Sequence, residues 1–207
     1  ATGVDLNGCI NRDTVLVSVS TPTVAGVASS IQTAIVPAYV PFNGLVGYWP
    51  FTGNANDISG NNNNGVVNGA ILTSDRFGNT SSAYSFDGVN DVISMNGVSP
   101  ALQFNYLTNS YSVNLWVKSI DPNLSALSSR VFHHDDVNNG YPASMQVQYT
   151  SNALYMLAVD VSNSCQDSIF NVIDGRWRML TMVMDNGQDS LFGYLDGQRA
   201  FALLNNL

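Results

Sequence analysis

The sequence predicts an all-β fold, an antiparallel β-sandwich or barrel, and three observations lead there. Strand-length segments alternate apolar and polar residues with period two, and no long segment repeats with the helical period of 3.6. Asn-Gly and Asp-Gly turn signals recur between those segments, as at Asn186-Gly187 and Asp196-Gly197. All 15 acidic residues are Asp, Lys118 is the only lysine, and the good helix formers Glu and Lys are nearly missing while β-branched residues abound.

The elements follow in chain order. In TVLVSVS, Val15, Val17 and Val19 share one face. The stretch TPTVAGVASSIQTAIVPAYVPFN then carries three of the seven prolines and little charge, as a linker or extended edge segment does. The organisation expected is therefore a short unit over residues 1–20, a spacer over 21–41 and a β-sandwich over 42–207. Within the last, GLVGYWPF, SAYSFDG, DVISM and SVNLWVKSI each read as strands. In SVNLWVKSI, Val113, Leu115 and Val117 alternate against Asn114, Trp116 and Lys118. MQVQYTSNALYMLAV reads as two strands meeting at Thr150-Ser151-Asn152, and RMLTMVMDNGQDSLFGYLDGQRAF as three.

Composition narrows the function. With 207 residues and 45% hydrophobic content, the chain can bury one sizeable core. Seven Lys and Arg against 15 Asp give a formal charge of −8 with no basic run, which argues against nucleic acid as a partner. No apolar run approaches the roughly 20 residues that span a bilayer, and ATGVDLNGC lacks the pattern of a signal peptide, so any export signal is expected outside this segment. Cys9 and Cys165 lie in different neighbourhoods without C-x-x-C spacing. A disulfide between them, or two unrelated thiols, both fit the sequence.

GLVGYWPFTGNANDISGNNNNGVVNGAILTSDRFGNTSSAYSFDGVNDVI resembles the opening of a laminin-G-like domain of the concanavalin A-like superfamily, with its aromatic strand, Asn/Asp/Ser/Gly loop, DRFGN turn and SFDGVND approach to a strand. SVNLWVKS, NNGYPASMQVQ and DGRWRMLTMVMDNGQDSLFGYLDGQ resemble its later strands, so the similarity covers residues 43 to 200. The resemblance implies an antiparallel jelly-roll β-sandwich. It also implies further strands after the YLDG turn, so the sandwich is expected to lack its last strands in this segment. ATGVDLNGCINRDTVLVSVSTP resembles the last two strands of an immunoglobulin-like or PKD-like repeat of Bacteroidetes surface proteins, which would make neighbouring domains of the same long chain its partners.

Catalysis is not expected. Jelly-roll glycoside hydrolases use paired carboxylates on a Glu-x-Asp-x-x-Glu strand, and the chain has no Glu. There is no G-x-S-x-G either. In His133-His134-Asp135-Asp136, adjacent strand residues would point to opposite faces, which suits a solvated loop better than a transition-metal site. A loop of this kind could border a sugar site, and Tyr141, His133 and Asp135 are the candidate ligand-binding residues. Sugar recognition needs aromatic faces and planar polar groups; Trp49, Trp116, Trp177, Tyr48 and Tyr155 qualify by type, with core packing as the alternative role.

GNANDISGNNNNGVVNGA, from Gly53 to Ala70, holds seven Asn around one acid, Asp57. Calcium takes six to eight hard oxygens, and Asp57, Asn61, Asn62 and Asn63 could supply carboxylate, amide and backbone oxygens, with Gly60 and Gly65 turning carbonyls inward. The resemblance adds Asp87 and Asp91 as further ligands and calcium as a structural cofactor. A series of Asx turns, in which the side chains satisfy the backbone, needs no metal and stays open beside it. The function expected is a non-catalytic, secreted or cell-surface binding or adhesion module for glycans or matrix glycoconjugates. A structural spacer or protein-binding domain of a large adhesin is the alternative.

Overall fold

The computed structural model describes residues 2–4, 10–12, 36–95, 102, 109–119, 129–133, 145–150, 153–159, 164–170, 174–188 and 190–204. The chain divides into two compact units, Ala1–Thr33 and Ala34–Leu207, so the break falls inside the proline-bearing spacer. In the first unit, β1 (Thr2–Val4) pairs antiparallel with β2 (Ile10–Arg12). Val36, near the start of the second unit, is already buried.

Two four-stranded antiparallel sheets build the second unit. One comprises β7 (Tyr111–Lys118), β12 (Trp177–Asp185), β13 (Ser190–Leu195) and β14 (Gln198–Leu204), in the order β14-β13-β12-β7. The other is a meander of β8 (Ser129–Phe132), β9 (Met145–Thr150), β10 (Ala153–Val159) and β11 (Ser164–Phe170). The meander is inserted between β7 and its neighbour β12, and β11 returns against β13 and β14. Two short pairs precede them: β3 (Val66–Asn68) with β6 (Val92–Ser94), and β4 (Ile71–Thr73) with β5 (Ala83–Ser85). Among the described residues there is no α-helix.

Alternation decides which face of the first sheet is the core. Leu180, Met182 and Met184 project from β12 to one side and are almost wholly buried, joined by Leu191 of β13 and Phe201 of β14. Tyr111, Val113, Leu115 and Val117 of β7 pack on them, and Val131 and Phe132 of β8 close the cluster from the other sheet. Each such side chain contributes about 1.5–3 kcal/mol by leaving water. The two central strands, β12 and β13, supply most of this buried core, with Leu180, Met182, Met184 and Leu191.

The β13–β14 hairpin turns at Asp196 and Gly197, both left-handed with φ of +50° and +78°, as the expected Asp-Gly turn requires. Asp196 also ties the turn to β12: its carboxylate accepts the Met179 N–H at 2.8 Å and Arg178 Nη1 at 2.7 Å. The other guanidinium nitrogen of Arg178 bonds Asp174.

One expected strand is not a strand. Residues 45–51 run through LVGYWPF without entering a sheet, because the loop that follows occupies their backbone groups. Four strands lie where none was expected. β3 and β4 flank Asn68-Gly69 as apolar triplets too short to show a period, β8 comes just before the histidine pair, and β11 is the polar SCQDSIF.

Candidate functional site

The Asn-rich loop folds around Asp57, which is 8% exposed. Its Oδ1 accepts the N–H of Tyr48 at 2.9 Å and of Ser59 at 2.8 Å. Its Oδ2 accepts the Ser59 hydroxyl at 2.9 Å and the Asn63 N–H at 3.0 Å. Burial pushes this carboxyl up, but those backbone and hydroxyl donors outweigh it and hold the group below its ordinary range. Asn61 Nδ2 donates to the carbonyls of Leu45 and Val46, Asn63 Nδ2 donates to Val46, and the Trp49 indole N–H donates to the Asn63 carbonyl. Asn64 Oδ1 accepts the N–H of Asp57 itself. The left-handed residues of the stretch are Gly53, Gly60, Asn62 and Gly69; Gly65 is instead pressed against Ile93 and Ala55.

The geometry is thus that of side chains satisfying backbone. A calcium ion at Asp57 would need lone pairs that four N–H and O–H donors already take, so the residues present do not fit the ion. Asp87 and Asp91 form a turn of their own: Asp91 Oδ2 accepts the Asp87 N–H at 2.9 Å, and Asp87 Oδ1 accepts the Val89 N–H at 2.8 Å. Among the described residues, no three His, Cys, Asp or Glu side chains come together where a metal could be held.

A second turn presents chemistry outward. Asp75 Oδ1 accepts the N–H groups of Phe77 and Asn79, and Oδ2 accepts Asn79 Nδ2, so the DRFGN turn is pinned from within. Its exposed Arg76 lies with the guanidinium carbon 4.2 Å from the centroid of Phe77 and 4.4 Å from that of Trp116.

Trp116 belongs to the face of the β14-β13-β12-β7 sheet opposite the core and is 40% exposed. Register places Met179 beside it and, one row along, sets Asn114, Thr181, Tyr194 and Arg199 side by side across all four strands. Asn114 Nδ2 donates to Thr181 Oγ1 at 2.8 Å. An aromatic ring, a planar amide and a hydroxyl therefore share one open surface, as ring-shaped polar ligands require.

A model of the Clostridium neurotoxin N-terminal receptor-binding family matches residues 52–203. The chain belongs to the Clostridium neurotoxin N-terminal receptor-binding family. Like the rest of that family, this receptor-binding domain is a concanavalin A-like jelly roll and binds rather than catalyses, in line with the missing Glu pair and nucleophile motif. The fold class is the one that the laminin-G-like resemblance implied. A solved structure, the binding domain of Paraclostridial Mosquitocidal Protein 1, is similar with a TM-score of 0.51 at 15% identity, over 72% of this chain and 37% of that one. The receptor-binding domain thus spans little more than a third of that relative. No curated protein matches.

Of the expected ligand-binding residues, His133 is half-buried just after β8, while Tyr141 and Asp135 lie outside the described residues, as does Cys9. Asp57, Asn61 and Asn63 do come together, as a fold-determining network rather than a ligand cage. Arg76, Phe77 and Arg199 were not among the expected residues. Trp116 carried a signal in its place on the polar side of an alternating strand, whereas the two arginines reach this face only through turn geometry and register.

Proposed function

We propose that this receptor-binding domain recognises a cell-surface glycoconjugate outside the cell, through the solvent face of the β14-β13-β12-β7 sheet. The observation that carries this reading is the Trp116 ring, held outward beside Asn114 and Thr181 on a rigid sheet. A sugar can pack its apolar side on the part of the indole that Arg76 leaves open while its hydroxyls reach the amide and the threonine. The family assignment supports a receptor-binding role, and the absence of an acid pair or nucleophile fits binding without turnover.

The test is a broad glycan array with the wild type and Trp116→Ala. The reading expects glycan hits that the variant loses while its thermal melt stays close to that of the wild type. No hit on any panel would favour a purely protein-binding or spacer role.

A further inference from the structure

The chain is acidic, yet the sheet face just described collects positive charge. Arg76 lies over Trp116, Lys118 follows two residues later on the same side of β7, and Arg199 stands opposite Tyr194 on β14. These are three of only seven Lys and Arg in the sequence, and all three are exposed. Among the described residues none of them forms an ion pair or a side-chain hydrogen bond, although Arg178 engages two carboxylates. Asp75, the acid nearest Arg76 in sequence, directs both oxygens into its own turn and meets Arg76 only through space, with no direct ion pair.

Unpaired cations in a chain of charge −8 are electrostatically costly to gather on one side unless an anion meets them. Their setting indicates which anion. The aromatic contacts of Arg76 use the face of the guanidinium and leave its in-plane N–H fork for a planar or tetrahedral oxyanion. Phe77, 73% exposed, and Trp116, 40% exposed, are the rings on which the guanidinium lies, and the ring surface that Arg76 leaves open borders that fork. From Asn114 to Arg199 the row crosses three strand spacings, about 14 Å, so the cations are spread along a surface rather than converging on one phosphate.

We propose that this face binds an acidic oligosaccharide, a chain of carboxylated or sulfated sugars lying across the strands. Arg76 takes one acidic group, Trp116 and Phe77 take the sugar ring that bears it, and Lys118 and Arg199 meet further acidic groups. The inference rests on the glycoconjugate reading above and narrows it to an anionic ligand.

The experiment measures binding of the whole chain to immobilised neutral, sialylated, uronate-containing and sulfated glycans, and to phosphatidylserine vesicles, at low and high salt. Arg76→Gln and Arg199→Gln are compared with Arg176→Gln, an exposed cation in the bend just before β12. Expected is salt-sensitive binding to acidic glycans, weakened at least about tenfold by Arg76→Gln and less by Arg199→Gln, with Arg176→Gln and the thermal melts unchanged. The sialylated, uronate and sulfated arms tell carboxylate from sulfate. Hits confined to neutral glycans would overturn this inference and leave the glycoconjugate reading standing, whereas no glycan hit at all would overturn both. Binding to vesicles alone, or equal losses in all three variants, would overturn the acidic-sugar assignment.

Discussion

The carboxylate of Asp57 accepts the backbone N–H of Tyr48 at 2.9 Å, and the Tyr48 carbonyl in turn accepts the N–H of Ile58 at 3.0 Å. An aromatic segment that would otherwise seek a neighbouring strand is thereby paired with the loop that follows it. One buried acid fixes both, so perturbing it should be felt across residues 45–64.

Asp57→Asn keeps the size but turns an amide donor toward groups that are themselves donors, and leaves buried N–H groups short of an acceptor. A loss of about 3 kcal/mol is expected in denaturant unfolding. The acid limb should change with it. The folded-state carboxyl sits below its ordinary value, so its contribution is complete above an unfolded pKa of about 3.9 and is lost as pH falls through the lower folded value. Melts from about pH 7 to pH 3 should therefore show a steeper acid decline in the wild type than in the variant. Parallel declines would refute the role given to this carboxylate.

Calcium should not stabilise the domain. Any ligand that binds only the folded state raises the melting temperature by mass action. Melts in chelator and in excess calcium are expected to coincide, and a rise of several degrees with calcium would show that the Asp57 donors can turn away.

Gly47→Ala should displace the Trp49 indole, because a Cβ at Gly47 would lie 2.1 Å from its ring. The ring is held by its bond to the Asn63 carbonyl at 2.8 Å, so losing its place also loosens the loop. Hydrogen exchange of the Trp49 indole N–H, slow in the wild type, should become fast. An unchanged rate would mean the ring can shift without losing the bond.

The two faces of the β14-β13-β12-β7 sheet should respond in opposite ways. Met182→Ala empties a fully buried position and should cost about 3 kcal/mol, whereas Trp116→Ala on the open face should change stability by about 1 kcal/mol or less. Similar losses for the two would mean that Trp116 is a packing residue and not a platform.

The sequence was most readable where the pattern is longest. β7 alternates apolar and polar residues over eight positions, so its core face follows from Val113, Leu115 and Val117; β12 is apolar on both sides, with Met179 and Val183 as well as Leu180, Met182 and Met184, and only burial tells its faces apart. The Asp196-Gly197 turn was equally plain because few residues accept the left-handed angles it needs. Residues 45–51 misled for a physical reason: apolar and aromatic content marks burial, but only the side chains of Asp57, Asn61 and Asn63, up to 17 residues away, decide who satisfies the backbone. The positive sheet face was not readable at all. Arg76, Lys118 and Arg199 are separated by 42 and 81 positions, and only strand register and a pinned turn bring them to one side.

The Asn-rich loop has a consequence for the company the protein keeps. An unladdered aromatic segment is ordinarily an invitation to a strand from another molecule, since open N–H and C=O groups can be copied from chain to chain. Here the carbonyls of Leu45 and Val46 and both backbone groups of Tyr48 are already occupied by the next twenty residues of the same chain. Carboxamides stand where a second copy would have to enter, so the loop keeps LVGYWPF from serving as a seam for self-association.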